Sequence, residues 1–459
     1  MRKFLYSLAS AALLASCMSV DPAGTPTRLA DSPVSSLPPM KVFHGQALEH
    51  PAASNLQIAR DFLDLSFQLE SGRDLPVFTR FEGPITLHLT GNAPAAMRAD
   101  LGRLLGRLRA EAGIDIRQVQ AEEASITINA VKRADIQRYL PQAACFVVPN
   151  ISTLAEYAGA SRSPRTDWVR LQDRRKMAIF IPADAPPQEV RDCLHEELAQ
   201  ALGPLNDLYR LPDSVFNDDN IHTVLTRYDM LILRAYYAPE LRNGMSRSQV
   251  ASRLPAILAR INPEGQGLGS KPLPETPRNW IDAIQTALGP GATPTARQQA
   301  ARQALAIAEN SGWTDHRRAF SHYALGRLTQ SVNAEVALSH FRAAHSFYSR
   351  DPVTQVHAAH VAAQLAAYAI SEGDGQTALM LTGPFLSVTA RHENAALLST
   401  LLLLRAEALD LLGRPTEARA VRLDSLGWAR YGFGSDRAVR AKLREISALS
   451  PLNRGSGQS

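Results

Sequence analysis

The stretch Glu196-Glu197-Leu198-Ala199-Gln200-Ala201-Leu202-Gly203-Pro204-Leu205-Asn206-Asp207 decides how the first half of this 459-residue chain is read. Pro187 stands near a helix start, where its missing N–H costs nothing, and Gly203-Pro204 stops the helix after about Leu202. Residues four apart share a helix face, so Glu196 and Gln200 point the same way. Outward from this helix the pattern alternates between two periods. Residues 58–69 and 95–112 carry apolar residues at helical spacing, with Leu101, Leu104, Leu105 and Leu108 on one side of the second segment. Residues 84–90 alternate like a strand, and 114–116, 125–128, 145–148 and 178–181 read as further short strands. The order predicts an α+β domain: a small mixed sheet, a backing helix, and a second helix after the last strand.

The chemistry of that second helix depends on register. His195-Glu196 suggests H-E-x-x-H, but the position four after His195 is Ala199, so that reading fails. Shifted by one residue, the stretch resembles the metzincin pattern H-E-x-x-H-x-x-G-x-x-H. Glu196 then stands for the first His, Glu197 for the catalytic Glu, Gln200 for the second His, Gly203 for the turning glycine and Asn206 for the third His. Ser214-Val215-Phe216-Asn217 resembles the Met-turn, with Phe216 in place of Met. Thr226-Arg227-Tyr228-Asp229, with Ile232 and Ala235-Tyr236-Tyr237, resembles the helix that follows it. Residues 54–250 as a whole are similar to a bacterial envelope lipoprotein family of unknown function, marked by E-E-x-x-Q-x-x-G-x-x-N-D. The resemblance implies a zincin-like fold for residues 53–261 and a degenerate metzincin site.

Zinc takes His, Cys or carboxylate ligands, and neutral amides from Gln200 and Asn206 donate weakly and bring no charge. The expectation is no metal and no cofactor, with Glu196, Gln200, Asn206 and Asp207 forming a hydrogen-bonded polar network at the old metal position. Two alternatives stay open. One is a harder ion such as Ca²⁺, bound with Asp207 or Asp213. The other is an active metal-dependent peptidase or other hydrolase with Glu197 as general base. His195 turns about 100° from Glu196 on the helix and is expected as a surface or capping residue. His88 and His222 have no partner at metal spacing, and no G-x-S-x-G elbow or G-x-x-x-x-G-K-[ST] loop occurs, so nucleotide binding is not expected.

Location is easier to read than reaction. Arg2 and Lys3 precede an apolar run, residues 4–14, too short to span a bilayer. The run ends in Leu14-Ala15-Ser16-Cys17, which resembles the lipobox of bacterial lipoproteins. That resemblance implies a signal peptide over 1–16, a lipidated Cys17, and a multiply acylated and therefore durable anchor. Met18 rather than Asp after the cysteine favours the periplasmic face of the outer membrane. Residues 17–52, with Pro22, Pro26, Pro33, Pro38 and Pro39, read as a flexible tether. In that oxidising compartment Cys145 and Cys193 are expected to form a disulfide, the alternative being two buried thiols. Loss of Arg2 and Lys3 lowers the net charge from +5 to +3, too dilute to imply a nucleic-acid partner.

Residues 262–278 hold Pro263, Gly265, Gly267, Gly269, Pro272, Pro274 and Pro277 and read as a linker. Beyond it, 279–450 is helical, with a tail over 451–459. Ala337-x-x-x-Phe341-x-x-Ala344 resembles the second helix of a tetratricopeptide unit, and Ala378 and Ala418 recur 41 and 40 residues on, each after a turn. The resemblance implies a helical-repeat domain with a face for a protein or peptide partner. Together the expectations describe a lipid-anchored envelope protein with a non-catalytic metzincin-like domain and a repeat module for binding.

Overall fold

The computed structural model describes residues 37–45, 53–120, 123–270 and 272–453. The segment expected as a signal peptide, Cys17, most of the expected tether and residues 454–459 lie outside the described residues.

The α/β region opens with α1 (Asn55–Phe67), β1 (Ile85–Gly91), α2 (Ala95–Glu111), β2 (Ile116–Gln118), β3 (Ile126–Val131) and α3 (Arg133–Gln137). It continues with β4 (Phe146–Pro149), α4 (Leu154–Ala160), β5 (Met177–Pro182), α5 (Pro187–Leu202), α6 (Arg227–Tyr236) and α7 (Arg247–Ile261). The sheet order is β2-β1-β3-β5-β4; β1, β2, β3 and β5 run parallel, and β4 lies antiparallel to β5 at an edge. β2 starts at Ile116, where the expected strand ended, because its ladder with β1 pairs Ile85 with Ile116.

Strand side chains alternate between faces, and both faces are covered. Met177, Ile179 and Ile181 of β5 enter the main core with α1, α2 and α5. Ala178 and Phe180 face the other way, into a smaller core with Phe146, Val148, Ile136 and Tyr157. Hence the uninterrupted apolar run in β5. On α2 the stripe Leu101, Leu104, Leu105 and Leu108 is buried as its spacing requires. Cys145, one residue before β4, is bonded to Cys193 of α5 with Cα atoms 6.0 Å apart, which ties the edge strand to the helix.

The helical region comprises α8 (Arg278–Leu288), α9 (Pro294–Asn310), α10 (His316–Thr329), α11 (Ala334–Tyr348), α12 (Gln355–Ser371) and α13 (Gly375–Thr382). It ends with α14 (Phe385–Arg391), α15 (Ala395–Leu411), α16 (Pro415–Phe433) and α17 (Asp436–Ser447). Helices pack against their neighbours in sequence: α8 on α9, α10 on α11, α12 on α13, α15 on α16. Ala337, Phe341, Ala344, Ala378 and Ala418 are all fully buried at these crossings. A Cβ at Gly326 of α10 would come within 2.8 Å of the Phe341 ring, so glycine sets how closely that pair approaches. Gly383-Pro384 divides α13 from α14, a short helix that lies between Ala378 and Ala418.

Two expected spacers are structured. The Pro/Gly segment is strapped to α1 rather than free: Ser54 Oγ donates to the Leu268 carbonyl at 3.2 Å, and Arg60 Nη1 to the Leu273 carbonyl at 2.8 Å. A Cβ at Gly265 would stand 2.4 Å from the Ala53 carbonyl oxygen, so only glycine fits under that strap. Residues 37–45, expected as tether, lie on α16: the Lys41 N–H bonds the Gly427 carbonyl at 3.0 Å, and Phe43 stacks on Trp428 at 4.4 Å. The apolar contact of Phe43 outweighs the mobility its Pro-rich neighbours suggest. Pro451–Asn453, in the expected tail, forms a final 3₁₀ turn.

The described residues from Leu37 onward accordingly make one compact unit. The joint between the sheet region and the helices is polar and buried. Arg191 pairs with Glu393 at 3.0 Å, Gln188 with Asn394 at 3.1 Å, and Tyr431 donates to Asp100 at 2.8 Å. His316 Nε2 bonds the Tyr209 carbonyl at 2.7 Å, and His357 Nε2 lies 2.9 Å from Asp219 Oδ2. Nearby, the ring of His222 is 5.7 Å from that of His357 and 5.4 Å from that of His392.

Candidate functional site

The quoted stretch occupies the last two turns of α5 and the loop beyond. Leu194, Leu198, Ala201 and Leu202 bury one side of α5 in the main core, which leaves Glu196, Glu197 and Gln200 on other faces. The end of the helix is held by Arg174, itself 3% exposed. Its Nη1 donates to the carbonyls of Gln200 at 2.5 Å and Ala201 at 2.8 Å, its Nη2 to that of Gly203, and its Nε to Thr79 Oγ1 at 3.2 Å. One cation thus satisfies three carbonyls that a helix end leaves open. At Gly203 a Cβ would lie 3.0 Å from three atoms of the Tyr236 ring, so the chain turns there by close approach to α6.

The turn beneath the site is pinned by Asp229. Its carboxylate accepts from Ser214 Oγ at 2.5 Å, from the Val215 N–H at 3.1 Å and from the Thr226 N–H at 2.7 Å, and closes a capping box on α6. Burial lifts its carboxyl to about 6 against those bonds. Phe216 is fully buried in this turn.

The structure gathers carboxyl groups rather than the expected amide network. Asn206 is buried and donates Nδ2 to the Asp64 carbonyl at 3.0 Å, on α1, instead of bonding Glu196 or Gln200. The α1 carbonyl captures the amide because Leu205 has already docked there, its N–H on the Leu65 carbonyl at 3.0 Å. Glu196, Glu197 and Asp207 do come together, and they are joined by Glu70 and Asp218. Burial, then the charges of Glu70 and Asp218, lift the Glu196 carboxyl to about 7. Glu197, 5% exposed, is held well above the usual carboxylate range by burial and then by Glu196 and Glu70. Asp207 is raised likewise, by burial and then by Glu70, Glu196, Asp218 and Glu197. Glu70 is exposed as a residue, but its carboxyl end faces Asp218 and Asp207. Like charges in one another's field oppose ionisation, which adds to burial in raising Glu70, Glu196, Glu197 and Asp207.

His195 is buried rather than superficial, and its Nδ1 accepts the Leu225 N–H at 3.0 Å. Burial, followed by Arg107, Arg191 and Arg103, keeps it neutral, with its proton on Nε2. It orients the entry to α6 and faces away from the carboxyl cluster. Among the described residues, no three His, Cys, Asp or Glu side chains gather so as to hold a metal ion. The donor set at the three metzincin ligand positions, one carboxyl and two amides of which one is turned to α1, does not fit zinc.

Glu70, Asp218 and Tyr209 were not singled out by the sequence reading. Tyr209 donates its hydroxyl to Asp218 Oδ2 at 2.8 Å. The pair Asp218-Asp219, directly after the turn, was a visible signal. Glu70 had none, standing 126 residues before Glu196 in an ordinary polar segment. Glu70, Tyr209 and Asp218 line a cleft of about 850 Å³ together with Ile284, Leu288 and Phe320 of the helical region.

Residues 55–256 match the family model described as "Protein of unknown function (DUF2927)". The match runs from the start of α1 into α7 and so contains the sheet, α5 and the whole carboxyl cluster. A comparison with curated proteins finds no match.

Proposed function

We propose that the chain is a lipid-anchored cell-envelope protein whose α/β region is a metzincin-like scaffold used for binding rather than peptide cleavage. Cys17 carries the anchor, on the periplasmic face of the outer membrane, and the tetratricopeptide-like helix pairs present surface to a protein or peptide. The sheet order with one antiparallel edge strand, the glycine-ended helix after the last strand and the buried turn at Phe216 support the scaffold reading. The observation that carries the non-proteolytic reading is Asn206: the third ligand position spends its amide on the Asp64 carbonyl. The test is elemental analysis of protein purified without chelators, alongside a protease assay. Substoichiometric metal and no cleavage are expected; stoichiometric zinc, or cleavage abolished by Glu197→Gln, overturns the reading. Anchoring has its own test, since Cys17→Ser is expected to release the protein from salt-washed membranes.

A second reading rests on the carboxyl cluster. A carboxyl near 7 beside buried Glu197 has the form of an acid–base pair for a metal-free hydrolase. Hydrolysis with a bell-shaped pH profile, lost in both Glu196→Gln and Glu197→Gln, would select it.

A further inference from the structure

The segment between α5 and α6 reaches out of the α/β region and into the helices. Its Tyr209 and Ile221 belong to the core of the helical region, with the Tyr209 ring 5.0 Å from that of Trp280. Imidazole groups hold it there. His316 of α10 donates Nε2–H to the Tyr209 carbonyl at 2.7 Å. His357 of α12 donates to Asp219 Oδ2 at 2.9 Å, and Asp219 also accepts from Asn217 Nδ2 and from the Ile221 N–H, both at 3.0 Å. The His222 ring lies 5.7 Å from that of His357 and 5.4 Å from that of His392. The remaining ring nitrogens make the joint sensitive to protons. His357 Nδ1 and His360 Nε2 are shut from solvent and have no hydrogen-bond partner among the described residues. A proton added to either is a buried charge with no acceptor.

The charges facing this cluster do little to offset such a proton. Asp315 faces His316 but is closed on Arg317 at 2.8 Å, and Arg317 and His357 oppose a charge there. Arg327, His222 and His357 face His360. Tyr348 of α11 meets His357 ring to ring at 5.1 Å. Beside His392, Glu393 is paired with Arg191 of α5 at 3.0 Å. Asp219 faces His222, His316 and His357, and Asp218 next to it accepts from Tyr209. Burial, the largest cause at each ring, lowers His316 to about 4 and His357 and His360 to about 3 from the ordinary 6.5. The closed joint therefore refuses protons that released histidines take below 6.5, and its stability is lost as pH falls. Asp219, raised to about 6 chiefly by burial, takes its proton first in the closed state and opposes release.

We propose that this joint is an acid-released latch: as pH falls toward 5, protonation of His316, His357 and His360 frees residues 209–223 from the helical region while both cores stay folded. From pH 7 to pH 5 each of the three histidines favours release by roughly twentyfold and Asp219 opposes it by about tenfold, a net of about a thousandfold. The test is hydrogen exchange of the full chain in non-ionic detergent at pH 7 and pH 5, read by mass spectrometry and corrected for the intrinsic pH dependence of exchange. Expected is a fall of about a thousandfold in the protection of amides within 209–223, with β3 and α15 protected as before. In His357→Gln the fall should be smaller by about twentyfold. His360→Gln should show the same reduction and serves if the first variant does not fold, since His360 Nε2 makes no hydrogen bond to lose. Equal corrected protection of 209–223 at the two pH values overturns the proposal. So does a parallel loss in β3 and α15, which would be global acid unfolding, or a fall that neither variant reduces.

Discussion

Replacing His357 with Gln should change how stability depends on pH, and the size of the change follows from where the ring sits. His357 is 1% exposed on α12, between Tyr348, His222 and Asp219. Burial lowers its pKa from the ordinary 6.5 to about 3. At pH 7 the ring is neutral and donates Nε2–H to Asp219 Oδ2 at 2.9 Å. The lowered pKa sets the sign. The unfolded chain takes a proton as pH falls below 6.5, the folded chain does not until about 3, so stability is lost on acidification across that window. Integrated from pH 7 to pH 5, one such histidine costs about 2 kcal/mol. Asp219, raised to about 6 chiefly by burial, acts in the opposite direction, because the folded state takes its proton first. Comparing wild type with His357→Gln at each pH cancels that contribution, since glutamine keeps a donor and does not titrate. Urea denaturation with the disulfide intact should show the variant less stable at pH 7 and the gap narrowed by about 2 kcal/mol at pH 5. A gap unchanged between the two pH values would refute a neutral, buried His357 and with it this account of the joint.

Gly203→Ala should lower stability by about 1–3 kcal/mol in thermal melts, because its Cβ meets the Tyr236 ring at 3.0 Å. Arg174→Ala should cost about 2–4 kcal/mol and raise amide exchange at the end of α5, since three carbonyls lose their shared donor. Reducing the Cys145–Cys193 bond, which closes a separation of 48 residues, should cost roughly 2–4 kcal/mol without unfolding β5, as seen by circular dichroism and denaturation with and without reductant.

Local period and punctuation carried much of the fold. The strands near 84–90, 125–128, 145–148 and 178–181, the Leu101–Leu108 stripe and the helix from Pro187 to Leu202 were legible because each depends on residues close in sequence. The paired cysteines were legible because the number of partners was so small. The repeating alanines Ala337, Ala378 and Ala418 were legible because helix pairs leave room only for small residues at their crossings.

Tertiary structure decided the rest. The sequence placed Glu196, Glu197, Gln200 and Asn206 on one segment and made no zinc site of them, but it did not show that Asn206 would bond α1 or that Glu70 and Asp218 would join the glutamates. Those meetings depend on loop closures of many residues, which leave no local pattern. The same holds for the joint. Prolines and glycines over 262–278 signalled a break, yet backbone oxygens on that segment accept from Ser54, Arg60 and Arg317. Phe43 likewise found Trp428 far along the chain. Composition reports how readily a segment bends; whether it is free depends on which distant donors and apolar faces the fold brings within reach.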